Sequence, residues 1–177
     1  MGTKKKITAL AFDFGASSGR AMLGKFDGNK IHLCEIHRFE NVPITLNDTM
    51  QWDIGRLLND MKQGLSKACS TTKIDSIGVD TWGVDFGLIS KGETLLESPV
   101  HYRDNRTTGM IEEVSKAVPM IELYNKSGNQ TMEINTIFQL YSLQKNRFEL
   151  LDQTNQFLLM PDLFNYFLTG QKYAEQT

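Results

Sequence analysis

Cysteine is scarce in this chain: Cys34 and Cys69 are the only two among 177 residues, and they stand outside any metal-ligand spacing. A single pair makes no disulfide framework, so both are read as buried, reduced thiols. No charge of one sign dominates either. Nineteen basic residues against twenty-one acidic ones leave a net charge of −2, which argues against nucleic acid as a partner. No apolar run approaches the roughly 20 residues that span a bilayer, so no membrane partner is expected. The basic stretch at Lys4–Lys6 is followed by only a short apolar run, ended by Asp13 without a small-residue cleavage site, so it is not read as a signal peptide. The start Met-Gly-Thr-Lys-Lys-Lys lacks the Ser/Thr of a myristoylation signal. No internal repeat, low-complexity segment or linker interrupts the chain. With 40% hydrophobic and 23% charged residues, it reads as a globular domain of the cytoplasm. The two commonest phosphate motifs, Gly-Lys-Ser/Thr and G-x-G-x-x-G, are also missing.

What is present is concentrated in residues 7–20, Ile-Thr-Ala-Leu-Ala-Phe-Asp-Phe-Gly-Ala-Ser-Ser-Gly-Arg. The apolar run 7–12 reads as a buried strand ending on Asp13. The loop that follows suits a phosphate group. Gly15 and Gly19 are expected to let the backbone turn sharply and approach a ligand. The turn N–H groups and the Ser17 and Ser18 hydroxyls can donate to phosphate oxygens. Asp13 is placed to hold magnesium through water, since that ion keeps several waters and few carboxylates. The same composition also describes an ordinary Gly/Ser hairpin turn.

The first half orders itself as strand, strand, strand, helix, strand. Strands are expected at 21–26 and 31–39 around the turn 27–30, and a further strand at 74–81 ends on Asp80. The helix between them is capped by Asp53, with Ile54, Leu57, Leu58, Met61, Leu65 and Ala68 on one face. Three antiparallel strands joined through a helix to a parallel one suit an α/β, ribonuclease H-like half-domain of the actin-like ATPase type, a mixed sheet with flanking helices. Farther along, a hairpin is expected at 84–89 and 94–96 and a polar loop at 99–107. Helices are expected at 108–117 and, capped by Asn135, at 136–147. A short strand at 157–160 precedes a last helix opened by Pro161 and closed at Gly170.

Two more clusters could carry chemistry. In Asp80-Thr81-Trp82-Gly83-Val84-Asp85-Phe86, Trp82 can cover a sugar face, Gly83 can admit the backbone to a hydroxyl, and Asp85 can accept from hydroxyls. The alternative is a core Trp82 and an Asp85 that caps a turn. In His101-Tyr102-Arg103-Asp104-Asn105-Arg106-Thr107, Arg103 offers five fixed donors; the alternative is a solvated loop with an internal Arg–Asp pair.

The segments 13–20, 75–86, 102–107 and 159–164, with Glu35-Ile36-His37-Arg38-Phe39 and Trp52-Asp53, closely resemble the FGGY family of carbohydrate kinases, and within it the rhamnulokinases. The first segment alone resembles the wider actin-like superfamily, whereas Trp-Gly-Val-Asp-Phe is far more specific. The resemblance implies transfer of a phosphoryl group from ATP to the 1-hydroxyl of L-rhamnulose, with ATP and Mg²⁺ as cofactors and a small ketose as the other partner. It implies ATP phosphates at Asp13, Gly15, Ala16, Ser17, Ser18, Gly19 and Arg20, magnesium at Asp13, and the sugar at Trp82, Gly83, Asp85 and Arg103. L-Fuculose or L-xylulose as substrate, or a non-catalytic sugar-binding module, are the alternatives. Family members are more than twice as long and have two domains, so residues 1–177 are expected to be an incomplete N-terminal domain. On that expectation the second domain and the general base lie beyond Thr177, the isolated chain is inactive, and the incomplete domain invites self-association.

Overall fold

In chain order, the computed structural model has β1 (Ile7–Phe14), β2 (Ser18–Phe26), β3 (Ile31–Glu40), β4 (Ile44–Leu46), β5 (Thr49–Gln51), α1 (Ile54–Thr71), β6 (Ser76–Asp80) and β7 (Phe86–Ser90). After these come a 3₁₀ turn (Asn105–Thr107), α2 (Met110–Ser115), α3 (Met120–Ser127), α4 (Thr136–Asn146), α5 (Phe148–Asp152), β8 (Thr154–Leu159) and α6 (Met160–Thr169). The structure describes residues 6–175. They divide into two units: one takes the chain up to Pro43, Asp53–Gly83 and the segment from Met160, the other Ile44–Trp52 and Val84–Leu159.

The first unit is the expected mixed sheet, in the order β3-β2-β1-β6, antiparallel except for the parallel pair β1·β6. Its alternation sorts side chains cleanly. Leu10, Phe12, Phe14, Ala21, Leu23 and Phe39 are buried on the face that receives the helices: Phe164 of α6 stacks on Phe14 at 4.5 Å. On α1, Asp53 accepts from the Arg56 N–H at 3.0 Å as the N-cap, and Ile54, Leu57, Met61, Gly64 and Ala68 form the buried stripe.

Three local expectations are corrected. The loop read as 13–20 shrinks to residues 15–17, because β1 runs to Phe14 and β2 starts at Ser18. Neither Gly15 nor Gly19 adopts a positive φ; Gly19 is required instead by packing, since a Cβ there would lie 2.3 Å from the Phe39 ring. Cys34 and Cys69 are exposed, not buried. Cys34 lies on the edge strand β3, whose register shifts at a bulge opposite Ala21/Met22, and Cys69 lies off the buried stripe of α1.

In the second unit, β4 and β5 form a hairpin absent from the sequence reading. Asn47 and Asp48 make its turn with φ of 49° and 60°, a conformation that short polar side chains tolerate. Residues 99–101 run beside β5: the Trp52 N–H donates to the Pro99 carbonyl and the His101 N–H to the Met50 carbonyl, both at 2.9 Å. The expected hairpin around Lys91-Gly92 is present in short form: Ile89 bridges Leu95, the Ser90 N–H donates to the Thr94 carbonyl at 2.8 Å and the Leu96 N–H to the Leu88 carbonyl at 2.9 Å. The strand partner of β7 is β8, far along the chain. Phe86, Leu88, Leu143 and Leu150 form one core cluster; Met110, Val114 and Phe138 form another.

Gly64 marks the closest approach of α1 to the sheet: an added Cβ would sit 2.9 Å from the Ala21 Cβ and 3.1 Å from the Phe12 ring. Alanine gains up to about 1 kcal/mol in helix propensity, but overpacking against a backbone-anchored methyl costs about 1–3 kcal/mol. Gly64→Ala is therefore expected to lower stability by about 1–2 kcal/mol in urea unfolding.

Candidate functional site

The β1–β2 turn, the expected phosphate loop, is drawn tight. The Gly15 N–H donates to the Ser18 carbonyl at 2.9 Å. From below, buried Asn41 donates through Nδ2 to the Gly15 carbonyl at 2.8 Å, and through its backbone N–H to the Ser17 carbonyl at 3.0 Å. Just before the turn, Asp13 sits opposite Arg20 in the β1–β2 register and opposite Asp80 in the β1–β6 register, while Arg20 is itself opposite Arg38 of β3. Register partners share a face, so Arg38, Arg20, Asp13 and Asp80 form one row across the sheet, on the side away from Phe12 and Phe14. The Arg20 Nε donates to Asp13 Oδ2 at 2.8 Å, with both side chains about half exposed. Asp13, Gly15, Ala16, Ser17, Ser18, Gly19 and Arg20 are thus brought together by the hairpin itself.

Among the described residues, no three carboxylates, histidines or cysteines converge on a metal-sized space. Asp13 and its register neighbour Asp80 are a carboxylate pair at the ends of parallel strands. Hard oxygen donors, few in number and open to water, fit a magnesium ion.

Trp82 and Gly83 close the first unit. A Cβ on Gly83 would meet nothing within 4 Å, and its φ is not positive. Neither packing nor backbone geometry requires glycine there.

In the second unit, Asp85 is 1% exposed and gathers protein donors. Its Oδ2 accepts from the Trp52 indole N–H at 2.7 Å and the Tyr102 N–H at 3.1 Å, and its Oδ1 accepts from Gln139 Nε2 at 2.9 Å. Gln139 Oε1 in turn accepts from Arg106 Nη2 at 2.6 Å, so a neutral amide links the buried carboxylate to a cation. Burial pushes the Asp85 carboxyl above its usual range, opposed by the bonds from Trp52, Gln139 and Tyr102 and by the charge of Arg106. Val84, just before it, is held at φ +70°, a strained conformation for a β-branched residue. The Thr136 hydroxyl donates to the Val84 carbonyl at 2.8 Å and helps to hold it there.

His101 is 1% exposed and stacks on Trp52 at 3.9 Å between centroids, while its Nδ1 accepts from the Arg103 N–H at 3.0 Å. Burial first, then the nearby Arg103 charge, pulls its pKa down to about 4. Arg103 itself is exposed, with its guanidinium over the Tyr102 ring at 5.3 Å. Asp104 accepts from the neighbouring Arg106 N–H and from the Met50 N–H of β5.

Sequence reasoning passed over Asn41, Gln139 and the role of Trp52. For Trp52 a signal existed, because a buried indole N–H requires an acceptor. Gln139 lies on the buried side of α4 and Asn41 ends an unremarkable strand, and only the fold shows what each one reaches.

Two outcomes follow. Asp85→Ala strands up to three donors in a buried space, and each unsatisfied group costs about 1–3 kcal/mol; a loss of at least about 2 kcal/mol is expected in urea unfolding. His101 is held neutral in the fold and titrates near its ordinary value of 6.5 when unfolded. Its contribution is therefore full above pH 6.5 and is lost as pH falls through about 4. Asp85, raised by burial, acts with the opposite sign in acid. Unfolding curves between pH 4 and 7 should thus be flatter for His101→Gln than for the parent chain.

Residues 8–177 match the FGGY family of carbohydrate kinases, N-terminal domain. The chain is 43% identical over 171 residues to a rhamnulokinase from Halalkalibacterium halodurans, covering 96% of this chain and 36% of that protein. A gluconate kinase and a ligand-bound xylulose kinase, both from Lactobacillus acidophilus, superimpose with TM-scores of 0.80 and 0.79 at 15% identity. Those structures cover 95% and 93% of this chain and 34% of each relative, and they establish the actin-like fold. The chain thus spans about a third of the length of the relatives it matches. Among the described residues, no helix is long and apolar enough to cross a membrane. Over nearly its whole length, the chain belongs to the FGGY family of carbohydrate kinases.

Proposed function

We propose that this chain is the N-terminal part of a kinase that transfers the γ-phosphoryl group of ATP to the 1-hydroxyl of L-rhamnulose. The observation that carries the substrate is the 43% identity to a rhamnulokinase over 96% of the chain. The geometry supports the reaction class, because phosphoryl transfer asks mainly for positioning and neutralisation of charge. The β1–β2 turn supplies the Ala16 N–H and the Ser17 and Ser18 hydroxyls as donors, and Arg20 adds a cation beside them. Magnesium, when bound near Asp13, would neutralise charge on the phosphates. Arg20 orients the Asp13 carboxylate through the 2.8 Å bond.

For the sugar, Trp82 and Gly83 at the end of the first unit offer an indole and an open backbone, and the second unit by itself offers the exposed guanidinium of Arg103. Asp85, expected to accept from sugar hydroxyls, is buried with both oxygens bonded to protein donors, so in this scheme it acts by fixing the Tyr102 backbone beside Arg103. We place the general base outside these residues, as part of a second domain, so the chain by itself should bind ligands without turnover.

A coupled ADP assay with ATP and Mg²⁺ tests this. The chain extended to the length of the rhamnulokinase relative is expected to turn over L-rhamnulose faster than L-fuculose or L-xylulose, while the 177-residue chain shows background only. In the extended protein, Asp13→Asn should lower kcat by about 100-fold with little change in the ketose KM. A raised KM at unchanged kcat would remove Asp13 from the phosphate side, and an extended protein inactive on all three ketoses would overturn the kinase reading.

A further inference from the structure

We propose that Asn41 is a positioning residue for the β1–β2 turn, holding its peptide groups so that the Ala16 and Ser18 N–H groups, and not the Gly15 and Ser17 carbonyls, meet a polyphosphate. This inference rests on the reading of the turn as a phosphate site. A bare hairpin turn exposes both polarities of the backbone, and an exposed carbonyl would repel an anion. Three of the four carbonyls of this turn, those of residues 15, 17 and 18, are engaged, and that of Ala16 takes no donor among the described hydrogen bonds. Asn41 Nδ2 donates to the Gly15 carbonyl at 2.8 Å, the Asn41 N–H donates to the Ser17 carbonyl at 3.0 Å, and the Gly15 N–H donates to the Ser18 carbonyl at 2.9 Å.

Peptide planarity fixes the rest. In a trans peptide the N–H points opposite to the preceding C=O. With the Gly15 and Ser17 carbonyls drawn to Asn41, the N–H groups of Ala16 and Ser18 are turned away from it. The Ala16 N–H, outside every strand, takes no acceptor among the described hydrogen bonds.

A second observation concerns the other half of the Asn41 amide. It is 3% exposed, and its Oδ1 is buried without a hydrogen-bond partner. A buried acceptor left unmatched is unfavourable, and the opposite amide orientation would set two oxygens against each other at Gly15. The side chain is therefore kept for its single donor.

The test is an ATP titration of the 177-residue chain, without and with Mg²⁺, followed by amide NMR. Asn41→Ala removes the donor; Asn41→Asp, nearly isosteric, replaces it with an acceptor that repels the Gly15 carbonyl. Both keep the backbone N–H that reaches Ser17. In the parent, the Ala16 and Ser18 amides should shift on addition of ATP. Both variants should bind ATP about tenfold more weakly, with a lowered urea midpoint but a retained folded spectrum, unchanged shifts at Leu10 and Leu23, and an unaltered response to L-rhamnulose. ATP affinity within twofold of the parent in both variants would overturn the role of Asn41 and leave the phosphate reading standing. Ala16 and Ser18 amides unmoved by millimolar ATP in the parent would overturn both. Loss of the folded spectrum in both variants would show Asn41 to be a folding residue and would likewise overturn the inference.

Discussion

The pairing of β1 on both of its sides governs the first unit. Because β1 runs antiparallel to β2 and parallel to β6, the residue that ends its apolar run meets Arg20 on one flank and Asp80 on the other. A one-residue slip in either ladder would move Asp13 to the opposite face, and the Phe14–Gly19–Phe39 row with it. The register is secured by that second row. Phe39 packs on Phe14 at 5.4 Å, with Gly19 leaving room for its ring. Chemistry on one face and packing on the other are thus fixed by the same hydrogen bonds.

The second unit relies on a different device, a buried carboxylate. Asp85 draws together an indole from the end of the β4–β5 hairpin segment, a backbone N–H from the 99–107 loop and an amide from α4. A buried charge is tolerated when donors surround it and a cation lies near, and here Gln139 carries the influence of Arg106 to it. Irregular segments that could not build a core of their own acquire a common anchor in this way.

Local signals in the sequence were legible where one segment suffices to determine structure. The strand order of the first unit and the Asp53 cap follow from alternation and capping chemistry and stand in the structure, and of the stripe expected from helical spacing Ile54, Leu57, Met61 and Ala68 are buried while Leu58 and Leu65 are half-buried at its margin. What was hidden depends on distant partners. The pairing of β7 with β8 joins segments some sixty-five residues apart, and no periodicity announces it. Gly15 sits in the tight turn as its motif suggests, whereas the steric need for Gly19 can be seen only once β3 is docked and brings Phe39 against it. Asn41 was invisible because an asparagine at a strand end carries no pattern; only its place under the turn makes it notable.

The two borders of the first sheet differ in kind. Strand β3 carries a bulge and a Glu35–Arg38 pair, features that bend and charge an edge and discourage docking of another strand. Strand β6 is regular through its five residues and presents its outer hydrogen-bonding groups without such protection. Extension of this sheet therefore has a direction: a further strand, whichever polypeptide supplies it, can join beside Asp80 far more readily than beyond β3, and it would arrive next to the acidic end of the charged row.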